Sequence, residues 1–169
     1  DLKGMYDLNQ LVDLEDIAVE DNTSTLTLSN AKFKAVFNKT TGTLNSYTYD
    51  GVQLISKPLR LNVFRLPTDN DGSKRESWDN MGLRSLNASG KGVEFEKGAD
   101  GKTVNVTLNT RYIGKNSTTF NVQMNFLVCA NGVMMVISFI TPSNAGAIIP
   151  KMGFRLEMPA EMEQLSWFG

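Results

Sequence analysis

Runs of alternating apolar and polar residues, separated by Xaa-Gly pairs, are the feature that most restricts the fold of this chain. In residues 33–37 and 122–128 every second side chain is apolar, so each run would present one face to a core if it were a strand. Three Xaa-Gly pairs lie between such runs: Asp50-Gly51, Asp100-Gly101 and Asn131-Gly132. Pairs of this kind supply the positive φ angles of tight hairpins. The pattern predicts an all-β fold, an antiparallel β-sandwich of roughly ten strands.

Two segments depart from simple alternation. The run from Val133 to Ile140 is apolar on both faces, which is typical of a strand buried between two layers. The segment Ser73–Glu76 has the form of a capping box and predicts the start of one short helix. Trp78 and Met81 would share a face of this helix, and Gly82 would end it.

Composition excludes several classes of function. The chain has 169 residues, a formal net charge of −1 and no histidine, so it offers no basis for binding nucleic acid or an anionic membrane. The lack of histidine also excludes Ser-His and Cys-His catalysis. No apolar run approaches the roughly 20 residues that span a bilayer, so we expect a soluble protein. The single cysteine, Cys129, is interpreted as a packed side chain.

The ends of the chain indicate its organisation. Residues 1–15 show no clear period and are predicted to be a linker from a preceding domain. Residues 16–169 would then form the β-sandwich domain, truncated at its C-terminal end. The chain begins with Asp1 rather than Met, which suggests a segment of a longer polypeptide.

The densest cluster of charged and turn-forming residues lies at positions 64–72, which read FRLPTDNDG. Asp69 and Asp71 are the natural candidates for a catalytic carboxylate pair, because residues two apart on an extended backbone point the same way. Retaining glycosidases hold such a pair about 5–5.5 Å apart. The same residues, with Asn70, are also typical of a tight turn. In that interpretation, which we prefer, Arg65 clamps one carboxylate through a bidentate pair.

Residues in this cluster and aromatic residues after it are also candidates for a metal site and a sugar site. An EF-hand aligned on Gly72 fails, because Trp78 would stand where the last acidic ligand is required. A looser site on Asp69, Asp71 or Asp79 stays open. Trp78 and Trp167 are candidate sugar-stacking aromatics, although the spacing of Trp78 to Met81 favours a helix anchor.

Four stretches in order resemble the last domain of bacterial β-galactosidases of glycoside hydrolase family 2. They are FNKTTGTL at 37–44, FRLPTDNDG at 64–72, Trp78 with Gly82-Leu83, and IPKMGFRLEMP at 149–159 followed by SWFG at 166–169. The second is the strongest. Lys151 and Leu66 depart from the family pattern, where arginine and alanine are usual.

The resemblance implies the amino-terminal part of a galactose-mutarotase-like supersandwich. It also implies that the two catalytic glutamates lie in a separate TIM-barrel domain, so that this segment contains no catalytic residue and is inactive alone. The parent would be a retaining β-galactosidase of the bacterial cytoplasm or periplasm that uses Mg and Na, with no cofactor in this segment. Its partners would be the other domains of the parent chain and carbohydrate. Whether it forms a homo-oligomer stays open.

Two alternatives differ in class from this reading. An aldose mutarotase of the same fold would rely on histidine, which the chain lacks. A free-standing carbohydrate-binding or structural module remains, and exposed tryptophan would favour it.

Overall fold

The computed structural model describes Leu11 and residues 13–164, in which antiparallel strands dominate. The elements follow one another as β1 Ala18–Asp21, β2 Thr25–Ser29, β3 Phe33–Asn38, β4 Thr43–Tyr49, β5 Val52–Gln53, β6 Lys57–Asn62, a 3-10 turn Asp69–Asp71, α1 Lys74–Met81, β7 Asn87–Lys97, β8 Thr103–Ile113, β9 Thr119–Cys129, β10 Met134–Pro142 and β11 Gly153–Glu157. The predicted all-β antiparallel fold with one short helix is confirmed for this part of the chain. Most of the predicted linker lies outside the described residues.

The strands form three antiparallel sheets. The first has the order β1-β2-β3-β4-β5, the second β10-β9-β8-β7, and the third is the pair β11-β6. Because strands adjacent in the chain are adjacent in the first two sheets, short hairpins connect most of them. The signature loop, residues 64–72, leaves the end of β6 and leads into α1.

One hydrophobic core joins these sheets. The inward faces of β3 and β9 meet in it, and the rings of Phe37 and Phe126 make an edge-to-face contact with 5.2 Å between centroids. Phe33, Ala35 and Phe37 are buried, while Lys32 and Lys34 between and beside them are exposed. The alternation predicted for these strands is therefore confirmed.

Positive φ angles occur where the sequence placed the hairpins. Asp50 and Gly51, with φ of 45° and 79°, connect β4 to β5. Gly101 and Gly132 have φ of 72° and 86° in the turns after β7 and β9. Each of the three predicted hairpin turns is confirmed.

The helix has its predicted end but not its predicted start. Gly82 has φ of 69°, and the amides of Gly82 and Leu83 donate to the carbonyls of Asp79 and Trp78, as expected of a glycine that ends a helix. The capping box at Ser73 is wrong, because Ser73 is already helical and its side chain caps no amide. The 3-10 turn just before it brings the backbone into a helical conformation too early for Ser73 to act as a cap.

The prediction that the run from Val133 to Ile140 is buried on both faces is also wrong. This run forms most of β10, which is the edge of its sheet and pairs only with β9 in the described structure. Ile137 and Phe139 are 50% and 57% exposed, and Val136 on the opposite face is 43% exposed. On one face Met134 and Ile140 pack against the core. On the other face Met135, Ile137 and Phe139 are exposed, and no described layer covers them.

Candidate functional site

The signature loop is fixed at both ends by the core. Val63, at the end of the β6 segment, is fully buried, and Trp78 on α1 is 2% exposed. Between them residues 63–68 have no regular structure and lead into the 3-10 turn Asp69–Asp71. The loop is therefore a short bridge between two anchored elements.

Arg65 and Asp71 close this bridge with a bidentate ion pair. Nη1 of Arg65 lies 2.7 Å from Oδ2 of Asp71, and Nη2 lies 2.9 Å from Oδ1. The backbone amide and the hydroxyl of Thr68 also donate to Oδ2, at 2.6 and 3.0 Å. Each carboxylate oxygen thus accepts hydrogen bonds from donors within the loop. The contact with Arg65 has the bidentate geometry that planar guanidinium and carboxylate groups favour.

These contacts determine the charge of the loop. The Arg65 guanidinium, followed by the Thr68 amide, holds the pKa of Asp71 well below its usual range. The same hydrogen bond raises the pKa of Arg65. Asp71 is 8% exposed and stays ionised at any physiological pH, so it is unsuited to donate or accept a proton in catalysis.

Trp78 packs against the Arg65 side of the ion pair between Arg65 and Asp71. The guanidinium carbon of Arg65 lies 5.4 Å from the centre of the indole ring, within the range of a cation–π contact. The indole Nε1 donates to the carbonyl of Ile148 at 2.9 Å. With 2% of its surface exposed, Trp78 presents no free ring face to a sugar. It is a helix anchor, and the stacking hypothesis for this residue is not supported.

Asp69 and Asn70 do not join the clamp. Both are exposed in the 3-10 turn. Asp69 is therefore in contact with solvent, whereas Asp71 is buried and paired with Arg65. The loop therefore brings together Arg65 and Asp71, but not two free carboxylates. Trp167, the other aromatic candidate, lies outside the described residues.

No metal site is found in the described part of the chain. There, no group of three or more Cys, Asp or Glu side chains is placed to hold an ion. The looser site on Asp69, Asp71 or Asp79 has no support, because the oxygens of Asp71 are taken by Arg65 and Thr68.

Two exposed apolar side chains flank the clamp. Leu66 follows Arg65 directly and is 73% exposed, and Ile148, whose carbonyl accepts from Trp78, is 62% exposed. Sequence reasoning missed Ile148, because it lies 70 positions from Trp78 in the chain and no local pattern links them. It also missed Thr68, whose role depends on the 3-10 turn.

A groove of about 620 Å³ runs along the other side of α1. Its helical wall is formed by side chains at the spacing of one helix face: Ser73, Glu76, Ser77 and Asn80. Asn116 to Phe120 and Pro142 to Asn144 form the opposite wall. Glu76 is the single carboxylate in this lining, whereas glycoside hydrolysis by a retaining mechanism requires two.

Cys129 is 3% exposed, and burial raises the pKa of its thiol. This agrees with the interpretation of a packed side chain. Within the described residues, no helix has the length and apolar character needed to cross a membrane.

Comparison with known proteins gives consistent matches. The family described as "Beta galactosidase small chain" matches residues 29–169. The β-galactosidase of Priestia megaterium is 28% identical over 155 residues, which are 90% of this chain and 14% of that protein. That of Halalkalibacterium halodurans is 26% identical over 80% of this chain and 14% of its own length. That of Pseudoalteromonas haloplanktis is 42% identical over 55 residues, 32% of this chain and 5% of that protein.

Proposed function

We propose, since the chain belongs to the β-galactosidase small-chain family, that it is a non-catalytic β-sandwich segment of a β-galactosidase. It would support the hydrolysis of terminal β-galactosides by a catalytic domain elsewhere in the polypeptide. The chain spans 14% of the length of the relatives from Priestia megaterium and Halalkalibacterium halodurans. Most of such a protein, including room for a catalytic domain, therefore lies beyond the matched segment.

The occupied carboxylate of Asp71 is the observation that carries this proposal. A retaining glycosidase needs one carboxylate as nucleophile and a second as acid and base. In the signature loop, the carboxylate of Asp71 is held as an anion by Arg65 and Thr68. The groove along α1 has one carboxylate in its lining. Neither place supports the chemistry, so both glutamates of the reaction would come from another domain.

The signature loop would instead contact other domains of the parent. The clamp makes its backbone rigid, and Leu66 and Ile148 are the two most exposed large hydrophobic side chains of the described structure. Exposed apolar side chains beside charged ones are typical of contact surfaces. Asp69 and Asn70, exposed in the same turn, would form the polar part of this contact.

A chromogenic β-galactoside tests the proposal directly. The chain alone is expected to give no turnover, and mixing it with the rest of its parent polypeptide is expected to restore activity. Turnover by the isolated chain would overturn the proposal and would make Asp69 and Glu76 the first residues to replace.

Two variants of this chain test the contact surface. Leu66→Asp places an uncompensated charge in the expected interface and should weaken the restoration of activity in the mixture by at least about tenfold. Val52→Asp is the matched control, because Val52 is 53% exposed on the short strand β5. Equal effects of the two variants would show that the loop is not the contact.

A further inference from the structure

The outer face of the second sheet carries a row of polar side chains next to an exposed aromatic ring. Register pairs Asn109 of β8 with Gln123 of β9, and Gln123 with Phe139 of β10. In the next row Asn121 pairs with Thr141. Because Val122 and Met124 point into the core, their neighbours Asn121 and Gln123 point to the opposite, outer face.

These residues line a groove of about 400 Å³. Its floor is formed by Asn109, Asn121 and Gln123, and Lys91, Phe139 and Thr141 stand at its sides. Phe139 is 57% exposed, which is unusual for a phenylalanine. The volume is in the range of about 300–1,000 Å³ that is common for small-molecule sites.

The chemistry of the lining favours a neutral ligand with many hydroxyl groups. A carboxamide offers both a donor and an acceptor in one plane, which matches two neighbouring hydroxyls of a sugar ring. The exposed ring of Phe139 offers an apolar face to the C–H side of the same ring. Lys91 is the single charged residue in the lining. Glu94 and Glu96 of β7 lie on the same face, opposite Thr107 and Asn105, and Arg111 of β8 lies opposite Asn121. The face therefore carries charges of both signs and favours no anionic or cationic ligand.

A second observation falls on the same face. Oδ1 of Asn125 is buried and has no hydrogen-bond partner among the described residues. Asn125 lies two residues after Gln123 on β9 and is paired with Ile137 of β10. A buried acceptor without a partner is rare in folded proteins and costs free energy. Asn125 does not line the groove, so it adds to the polar character of this face and makes no contact with the ligand.

We propose that this outer face binds a neutral saccharide, with Phe139 stacked on one pyranose ring and Asn109, Asn121 and Gln123 bonded to its hydroxyl groups. The site is distinct from the signature loop and from the groove along α1, since it shares no lining residue with either. It binds without hydrolysis, so it does not depend on whether the parent cleaves galactosides.

Titration of the ¹⁵N-labelled chain with lactose and with cellobiose, followed by two-dimensional NMR, tests the site. Saturable shifts are expected in the side-chain amide signals of Asn109, Asn121 and Gln123, with an affinity near the millimolar range. Phe139→Ala is expected to weaken binding by about tenfold, a change typical of losing one aromatic contact.

Matched variants separate binding from loss of structure. Phe95→Ala removes another exposed phenylalanine, at 41%, from the opposite edge of the same sheet and should leave the affinity unchanged. Phe139→Leu keeps an apolar side chain but removes the flat ring, so it should weaken binding even if Phe139→Ala does not fold. The absence of saturable shifts with either sugar, or equal losses in Phe95→Ala and Phe139→Ala, would overturn the proposal.

Discussion

Asp71 carries a pH-dependent part of the stability of the chain. Its carboxylate accepts from Arg65 and Thr68, and these donors hold its pKa below the usual value. A group whose pKa is lower in the folded state stabilises that state above the pKa of the unfolded chain, about 3.9 for Asp. This stabilisation is lost as the pH falls toward the folded pKa.

We therefore expect Asp71→Asn to lower the Tm by several degrees at neutral pH, and by progressively less between about pH 5 and pH 2. Thermal unfolding of both proteins across this range measures the effect. Asp69→Asn is the matched control, because Asp69 lies in the same turn but is exposed. If the difference between Asp71→Asn and the original protein were constant with pH, the ion pair would not be its source.

At the scale of secondary structure, the end of α1 depends on a glycine for two reasons. Gly82 has φ of 69°, a backbone conformation that disfavours any side chain. A Cβ at this position would also lie 2.8 Å from the backbone nitrogen of Lys115. Gly51 has a similar φ of 79°, but a Cβ there would meet nothing within 4 Å.

This pair of glycines separates conformational strain from steric contact. Gly51→Ala should destabilise the chain by about 1–2 kcal/mol, the usual cost of a left-handed backbone for a residue with a side chain. Gly82→Ala should destabilise it more, because the connection from β8 to β9 must also move. Urea unfolding of the two variants gives the comparison. Equal losses would mean that Lys115 shifts without resistance.

The edge strand β10 makes the chain prone to self-association. Its open edge and its exposed apolar face are a template for pairing with another strand. Val136→Lys should therefore reduce light scattering at high protein concentration while leaving the Tm nearly unchanged. Val52→Lys, on a strand of two residues, serves as the control and should change neither. A large fall in Tm for Val136→Lys would show that Val136 contributes to the core.

At the scale of the whole molecule, the sequence predicted features that neighbouring residues determine and did not predict features that depend on packing between distant segments. The hairpin at Asp50-Gly51 and the buried face of Phe33 to Phe37 follow from neighbouring residues, and both are present. The cap at Ser73 failed because a 3-10 turn formed upstream. The burial of β10 failed because hydrophobicity indicates that a face could be covered, but not which element covers it. Likewise, the contact of Trp78 with Ile148 arises from packing between distant segments.

The two larger sheets are expected to unfold together, because they share one core. Phe37 of β3 and Phe126 of β9 provide a direct test, since their edge-to-face contact crosses from one sheet to the other. A double-mutant cycle with Phe37→Leu and Phe126→Leu should give a coupling of about 0.5–1.5 kcal/mol.

Circular dichroism and tryptophan fluorescence should then report the same unfolding midpoint. Phe33 and Tyr47 form the control pair, because their rings, 6.3 Å apart, lie on neighbouring strands of one sheet. Coupling between them is local and carries no information about the contact between sheets. If the Phe37–Phe126 coupling were near zero and the two probes gave separate midpoints, the sheets would be independent units. The signature loop would then be held only by the core residues that pack against β6 and α1.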